Sequence, residues 1–248
     1  MPIDIPPRPI WAENLEHRWA WERHLVAPPT MWLAPSYAYG AERVPRAGGA
    51  VLAANHLSAI DPPLIGSLSP RAIRYMAKAE LLRIPVVGSA LASAGAFPVR
   101  RGEADRDALR LARELVRDGD VVGIFMEGTR QQFGYPGEVQ PGAPMIALQE
   151  GVPVLPCGVY SFGWTLKNRN PCAVVWGEPM TLDGVPKSGR GYKEAAGVIG
   201  AELLRLWRLA GEAVAAGFPP ELPDGSRRSD PYRTPESRLV RRLSQALR

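Results

Sequence analysis

Val51-Leu52-Ala53-Ala54-Asn55-His56-Leu57-Ser58-Ala59-Ile60-Asp61-Pro62-Pro63 is the stretch from which the rest of the chain can be read. Val51 to Ala54 is an apolar run of strand length. The chain then turns polar at once, and Asp61 before Pro62 is a helix-start signal, with Asp61 as N-cap and proline in the first turn. Strand, polar turn and helix form the unit of α/β proteins, whose ligands sit beyond the carboxyl ends of strands. His56 and Asp61 do not share a helix face, but a turn can bring them together. A carboxylate on one imidazole nitrogen fixes the tautomer and leaves the other to take a proton from a hydroxyl. The pair therefore reads as a general base and its orienter. The alternative for His56 is a polar residue satisfied at a strand end.

Further apolar runs of strand length occur at Ile73 to Ala77, Ala96 to Val99, Val121 to Met126, Val152 to Val159 and Cys172 to Trp176. Between them the spacing predicts a helix over Glu103 to Asp118, with Ala108, Leu111, Ala112, Leu115 and Val116 on one face and Gly119 as its stop. A second helix, Tyr192 to Ala216, carries Ala196, Ile199, Leu203, Leu206 and Ala210 at helical spacing. The expected fold is α/β: a single domain over residues 46–217 whose sheet is flanked by helices. Residues 1–45 are expected to form an N-terminal amphipathic helical arm. There Trp11, Leu15, Trp19 and Val26 recur at near-helical spacing, Pro28-Pro29 ends the run, and a short apolar segment, Met31 to Tyr39, follows. The arm either packs on the domain or lies at a lipid interface, where indole rings favour the headgroup zone. Residues 218–248 read as a basic, partly mobile tail, with a short helix from Pro235.

Composition limits the functions open to such a chain. With 46% hydrophobic and 22% charged residues in 248 positions, it is a folding sequence of single-domain size. No apolar stretch is long enough to span a bilayer, and the start, Met1-Pro2-Ile3-Asp4-Ile5-Pro6-Pro7, has no export signal. The expected location is therefore cytoplasmic. Cys157 and Cys172, the two cysteines, lack metal-site spacing and read as small core residues. The net charge of +5 favours anionic partners, and residues 221–248 hold seven Arg against four acids. Nucleic acid is not expected, since no recognised module accompanies the charge.

Two further stretches could be directed to the same sheet edge as His56, the alternative for their arginines being an exposed, solvated face. Arg101 and Arg130 each lie just past a predicted strand, and two guanidinium forks directed to one edge can hold a phosphate dianion. Glu127-Gly128-Thr129 follows an apolar strand as a tight turn, where Gly128 permits close backbone approach and Glu127 can accept bonds from hydroxyls, orient an arginine or cap backbone.

These blocks resemble those of the lysophosphatidic acid (1-acylglycerol-3-phosphate) acyltransferases, within the glycerolipid acyltransferase superfamily. Asn55, His56 and Asp61 match a first motif, Asn-His and, after four residues, Asp. Gly95-Ala96-Phe97-Pro98-Val99-Arg100-Arg101 matches a second, Phe125-Met126-Glu127-Gly128-Thr129-Arg130 a third, and Val152-Pro153-Val154-Leu155-Pro156 a fourth. Lys78-Ala79-Glu80-Leu81 is a further match. Met126 stands where proline is usual, Gln131 where serine is common, and Pro98 where a bulky apolar residue is preferred.

The resemblance implies a glycerolipid acyltransferase-like mixed sheet and a peripheral enzyme at the cytoplasmic face of the membrane. It implies acyl transfer from acyl-CoA or acyl carrier protein to lysophosphatidic acid, giving phosphatidic acid. His56 and Asp61 would be catalytic, and Asn55, Lys78, Arg101, Glu127, Gly128, Thr129 and Arg130 would bind substrate. No cofactor and no metal is expected beyond the thioester co-substrate. In this scheme His56 deprotonates the hydroxyl, Asp61 steadies the imidazolium, and amides of the 55–58 or 127–130 turn meet the oxyanion. Ser58 lacks the Gly-x-Ser-x-Gly elbow of a nucleophile. Rival readings are acylation of another lysophospholipid or a lyso-glycolipid, a metal hydrolase using His56, Asp61 and Glu127 as ligands, and a non-catalytic lipid-binding protein.

Overall fold

The computed structural model describes residues 25–85, 88, 91, 92, 94–99 and 106–229. The tryptophans at 11, 19 and 21, Arg101 and the tail from residue 230 lie outside the described residues.

Residues 25–33 are helical (α1) and run through Pro28-Pro29, where a helix end was expected. A proline lacks an N–H and crowds the carbonyl four residues before it, but the residues after it can still bond back. Accordingly Thr30 Oγ1 donates to the Val26 carbonyl at 2.8 Å, and Ala34 N to Thr30 O at 2.8 Å. The apolar segment expected over Met31 to Tyr39 is two elements, since Ser36–Tyr39 is a strand, β1. Then follow β2 (Ala50–Ala54), α2 (Asp61–Leu68), β3 (Ile73–Lys78), α3 (Ala79–Leu82), β4 (Phe97–Val99), α4 (Arg106–Arg117), β5 (Val121–Phe125) and α5 (Gly142–Glu150). The chain continues through β6 (Val154–Tyr160), β7 (Cys172–Trp176), α6 (Gly189–Ala215) and β8 (Arg228–Ser229).

Among the described residues, eight strands form one sheet in the order β4-β3-β5-β2-β6-β7-β1-β8. The first five of that order are parallel; β7 runs antiparallel to β6, β1 parallel to β7, and β8 antiparallel to β1. The sheet is mixed, as the resemblance implied, and the carboxyl ends of β2, β3, β4, β5 and β6 share one edge.

Burial explains the order. All five residues of β2 are buried. Leu52 and Ala54 pack with Leu64, Ile65 and Leu68 of α2, while Val51 and Ala53 face Ala112, Ile146, Ile199 and Leu203 from α4, α5 and α6. A strand covered on both faces belongs in the middle of a sheet. Cys157 and Cys172 are buried and free, as expected.

Both flanking segments overlap the sheet. The expected arm over 1–45 contributes β1, whose Tyr39 is wholly buried, and the expected tail over 218–248 contributes β8 and buried Leu222. Arg43 ties the two together, donating to Trp176 O and Ser226 Oγ at 2.9 Å each. A guanidinium fork can satisfy partners distant in sequence at once, which makes this junction part of the domain.

Candidate active site

The turn after β2 is organised by one carboxylate. Asp61 is fully buried as the first residue of α2; Ile60, not Asp61, holds the N-cap position. Its side chain is thereby released from capping its own helix and reaches back over the turn. Oδ2 accepts from Leu57 N at 2.7 Å, from Ser58 N at 2.8 Å and meets His56 Nδ1 at 2.9 Å. Oδ1 accepts from Ser161 Oγ at 2.6 Å. An ionised carboxylate only accepts, so His56 carries its proton on Nδ1 and leaves the Nε2 lone pair for a substrate proton.

The imidazole is also held by its face. Phe125, the last residue of β5, stacks on it with ring centroids 4.0 Å apart and planes at 21°, and Tyr75 of β3 stacks on Phe125 at 5.8 Å. Gly123 makes room for this column, because a Cβ there would stand 2.6 Å from Tyr75 Cε1. Buried Asn55, expected to bind substrate, instead has its amide engaged by β6: Nδ2 donates to Val159 O at 2.9 Å and Oδ1 accepts from Val159 N at 2.8 Å. With both ends of its amide so occupied, it positions the turn.

The Glu127 turn lies against the His56 turn. Parallel pairing of β2 with β5 sets Ala54 beside Phe125, so the two strands deliver their following residues to the same place. His56 N donates to Glu127 Oε1 at 3.3 Å and Gln131 N to His56 O at 2.8 Å. Glu127 is buried, and its Oε2 has no hydrogen-bond partner. Burial pushes its carboxyl up from 4.5 to about 7, against the backbone N–H groups of Glu127, His56 and Gly137, with the Asp61 charge adding to the rise. Gly128 adopts φ +70°, the left-handed conformation that glycine takes without a Cβ clash. Gly128, Thr129 and Arg130 are exposed.

The structure therefore brings together His56, Asp61, Glu127 and the Gly128–Arg130 turn. Lys78 ends β3 on the same edge, half-exposed and 3.9 Å from Glu80. Arg101 lies outside the described residues, although β4, which ends at Val99, reaches that edge. Ser161, Phe125 and Gln131 were given no role from sequence. Ser161 had one available signal, its place one residue past the carboxyl end of β6. Phe125 opens the third motif block, but an aromatic at a strand end reads equally as core. Among the described residues no group of three or more His, Cys, Asp and Glu is placed to hold a metal ion, and no helix is long and apolar enough to cross a membrane.

Residues 37–160 match the family model described as Acyltransferase, half of the chain. A 1-acyl-sn-glycerol-3-phosphate acyltransferase of Bacillus subtilis is 32% identical over 145 residues, 57% of this chain and 72% of its own. A lyso-ornithine lipid O-acyltransferase of Pseudomonas aeruginosa is 37% identical over 108 residues, 43% of this chain and 41% of its own. The crystal structure of PlsC, the 1-acyl-sn-glycerophosphate acyltransferase of Thermotoga maritima, superposes with a TM-score of 0.63 at 23% identity, covering 82% of this chain and 83% of that one. That likeness establishes the shared fold. The chain belongs to the acyltransferase family. It is an enzyme of the 1-acylglycerol-3-phosphate acyltransferase type, and its matched region contains both turns of the site.

Proposed function

We propose that this enzyme moves a fatty acyl group from acyl-CoA or acyl carrier protein to the free hydroxyl of 1-acylglycerol-3-phosphate, as a peripheral enzyme at the cytoplasmic membrane face. The observation that carries the reading is the 2.9 Å contact between His56 Nδ1 and buried Asp61, at the sheet edge that also presents Glu127 and Arg130. His56 Nε2 takes the proton as the acceptor oxygen attacks the thioester carbonyl. The amides of His56, Leu57, Ser58, Gly128 and Gln131 are engaged elsewhere, which turns the oxyanion toward Thr129 and Arg130 N–H. Collapse breaks the carbon–sulfur bond, and the departing thiolate takes the proton back from the imidazolium. The products are the new ester and free thiol, so no covalent enzyme intermediate is needed. Glu127 accepts from the acceptor, and Arg130 with Arg101 and Lys78 answers its phosphate.

The test is thiol release by the purified protein with acyl-CoA and a panel of lysolipids. Lysophosphatidic acid should be acylated, and His56→Ala should lower turnover by about a hundredfold or more, the scale of a general base. Near-normal turnover in the variant would end this mechanism. The Pseudomonas relative supports a second reading, in which another lyso-lipid on the panel is the preferred acceptor.

A further inference from the structure

Exposed apolar side chains are not spread evenly over this molecule. Of the eleven large ones exposed among the described residues, seven fall in three segments, 25–35, 128–136 and 161–171. These segments form one continuous face. Phe133 and Tyr135 stack at 6.2 Å, and a Cβ on Gly134 between them would stand 2.1 Å from the Phe162 ring. Trp164 Nε1 donates to Leu33 O at 3.0 Å, and the Arg169 guanidinium lies 4.5 Å above the Trp32 ring. Phe133, Leu25 and Leu166, 78%, 75% and 69% exposed, project furthest.

The charge on this face is one-sided. The three segments contain Arg130, Lys167 and Arg169 and no Asp or Glu. Aromatic and leucine side chains set among cations without acidic partners suit a headgroup layer, where rings enter the interface and cations meet lipid phosphates. Two of the segments are bonded to the catalytic pair itself: Gln131 N to the His56 carbonyl at 2.8 Å, and Ser161 Oγ to Asp61 at 2.6 Å.

We propose that this face docks the enzyme on an anionic lipid bilayer and holds His56 and Asp61 directly behind the lipid surface. The inference rests on the reading of the acceptor as a membrane lipid. It assigns docking to helix α1 together with the loops after β5 and β6, separately from any contribution of residues 1–24. Contact with the bilayer would bring a lyso-lipid hydroxyl to the site without the acyl chain crossing water, which favours the transfer energetically.

The experiment uses the full chain and two variants, Phe133→Ser with Leu166→Ser, and Lys167→Glu with Arg169→Glu. Sedimentation measures binding to phosphatidylcholine vesicles with and without phosphatidylglycerol. Thermal unfolding checks the fold, and a monomeric short-chain lysophosphatidic acid reports turnover away from a bilayer. The wild type should prefer the anionic vesicles and lose them in high salt. The apolar variant should bind at least about tenfold more weakly. The charge variant should lose about fivefold or more per cation. Both should keep wild-type Tm and turnover of the short-chain acceptor. Unchanged vesicle binding in both variants overturns the proposal, as does equal wild-type binding to neutral vesicles. Lost short-chain turnover in the variants also overturns it, by placing those residues in catalysis. A wild type that binds anionic vesicles but turns over no lysolipid upholds the docking face and overturns the functional reading alone.

Discussion

Glu127 sits between opposing influences. Burial disfavours its charged form, and three backbone N–H groups partly restore it, which leaves a carboxyl pushed up to about 7. In the unfolded chain the same group ionises near 4.5, so between these values the folded protein holds a proton that the unfolded chain has released. Stability from this residue is therefore full below the lower value and declines as pH rises through about 7. Urea unfolding across this range should show the wild type losing up to about 3 kcal/mol relative to Glu127→Gln. Parallel profiles for the two proteins would remove the burial argument. Asp61, by contrast, is buried with donors on both oxygens, and it holds the imidazole through the same atom that gathers the turn. Ser161 lies a hundred positions from Asp61, and only its place just past β6 hinted at their meeting.

At the scale of elements, the placement of α6 on β6 depends on an absent side chain. A Cβ at Gly158 would stand 2.4 Å from the Leu206 carbonyl carbon and 2.5 Å from Trp207 N, which are backbone atoms that cannot rotate aside. Gly158→Ala should destabilise by roughly 1–3 kcal/mol, the cost of overpacking. Thermal unfolding would record it as a fall of several degrees. Gly197, within α6, has nothing within 4 Å of its would-be Cβ, so Gly197→Ala should keep or raise Tm. Equal effects from the two changes would refute the close-approach argument. Most strands and the two long helices were legible because each buries a continuous run or one regular stripe. Helix α5 was missed because Ala143, Pro144, Ile146, Ala147 and Leu148 are all buried, leaving no polar face to mark its period. Strand β1 was merged with the end of α1 in one apolar run, Met31 to Tyr39, and β8, with two residues, is too short to show a pattern.

For the molecule as a whole, Arg43 closes the chain into one unit. It joins the loop after β1 to Trp176 at the end of β7 and to Ser226, and it pairs with exposed Glu178 at 2.7 Å. The surface pair contributes little, whereas bonds from a largely buried guanidinium contribute more. Arg43→Met should cost about 1.5–3 kcal/mol. It should open residues 218–229 to limited proteolysis while leaving turnover intact, because the catalytic turn lies at the other end of β2. Unaltered cleavage in this segment would show that β8 docks without Arg43.

Sequence alone determined the α/β class, the strand-turn-helix around His56, the pairing of His56 with Asp61 and the neighbourhood of Glu127. These features are local, or are carried by residue types whose spacing has one economical reading. Tertiary structure alone decided that Asn55 ties the turn to β6, that Ser161 and Phe125 complete the setting of the imidazole, and that segments at both ends of the domain join its sheet. Those depend on which strands become neighbours, and strand order is fixed by burial on two faces at once, a property of the assembled sheet that no single stretch of sequence contains.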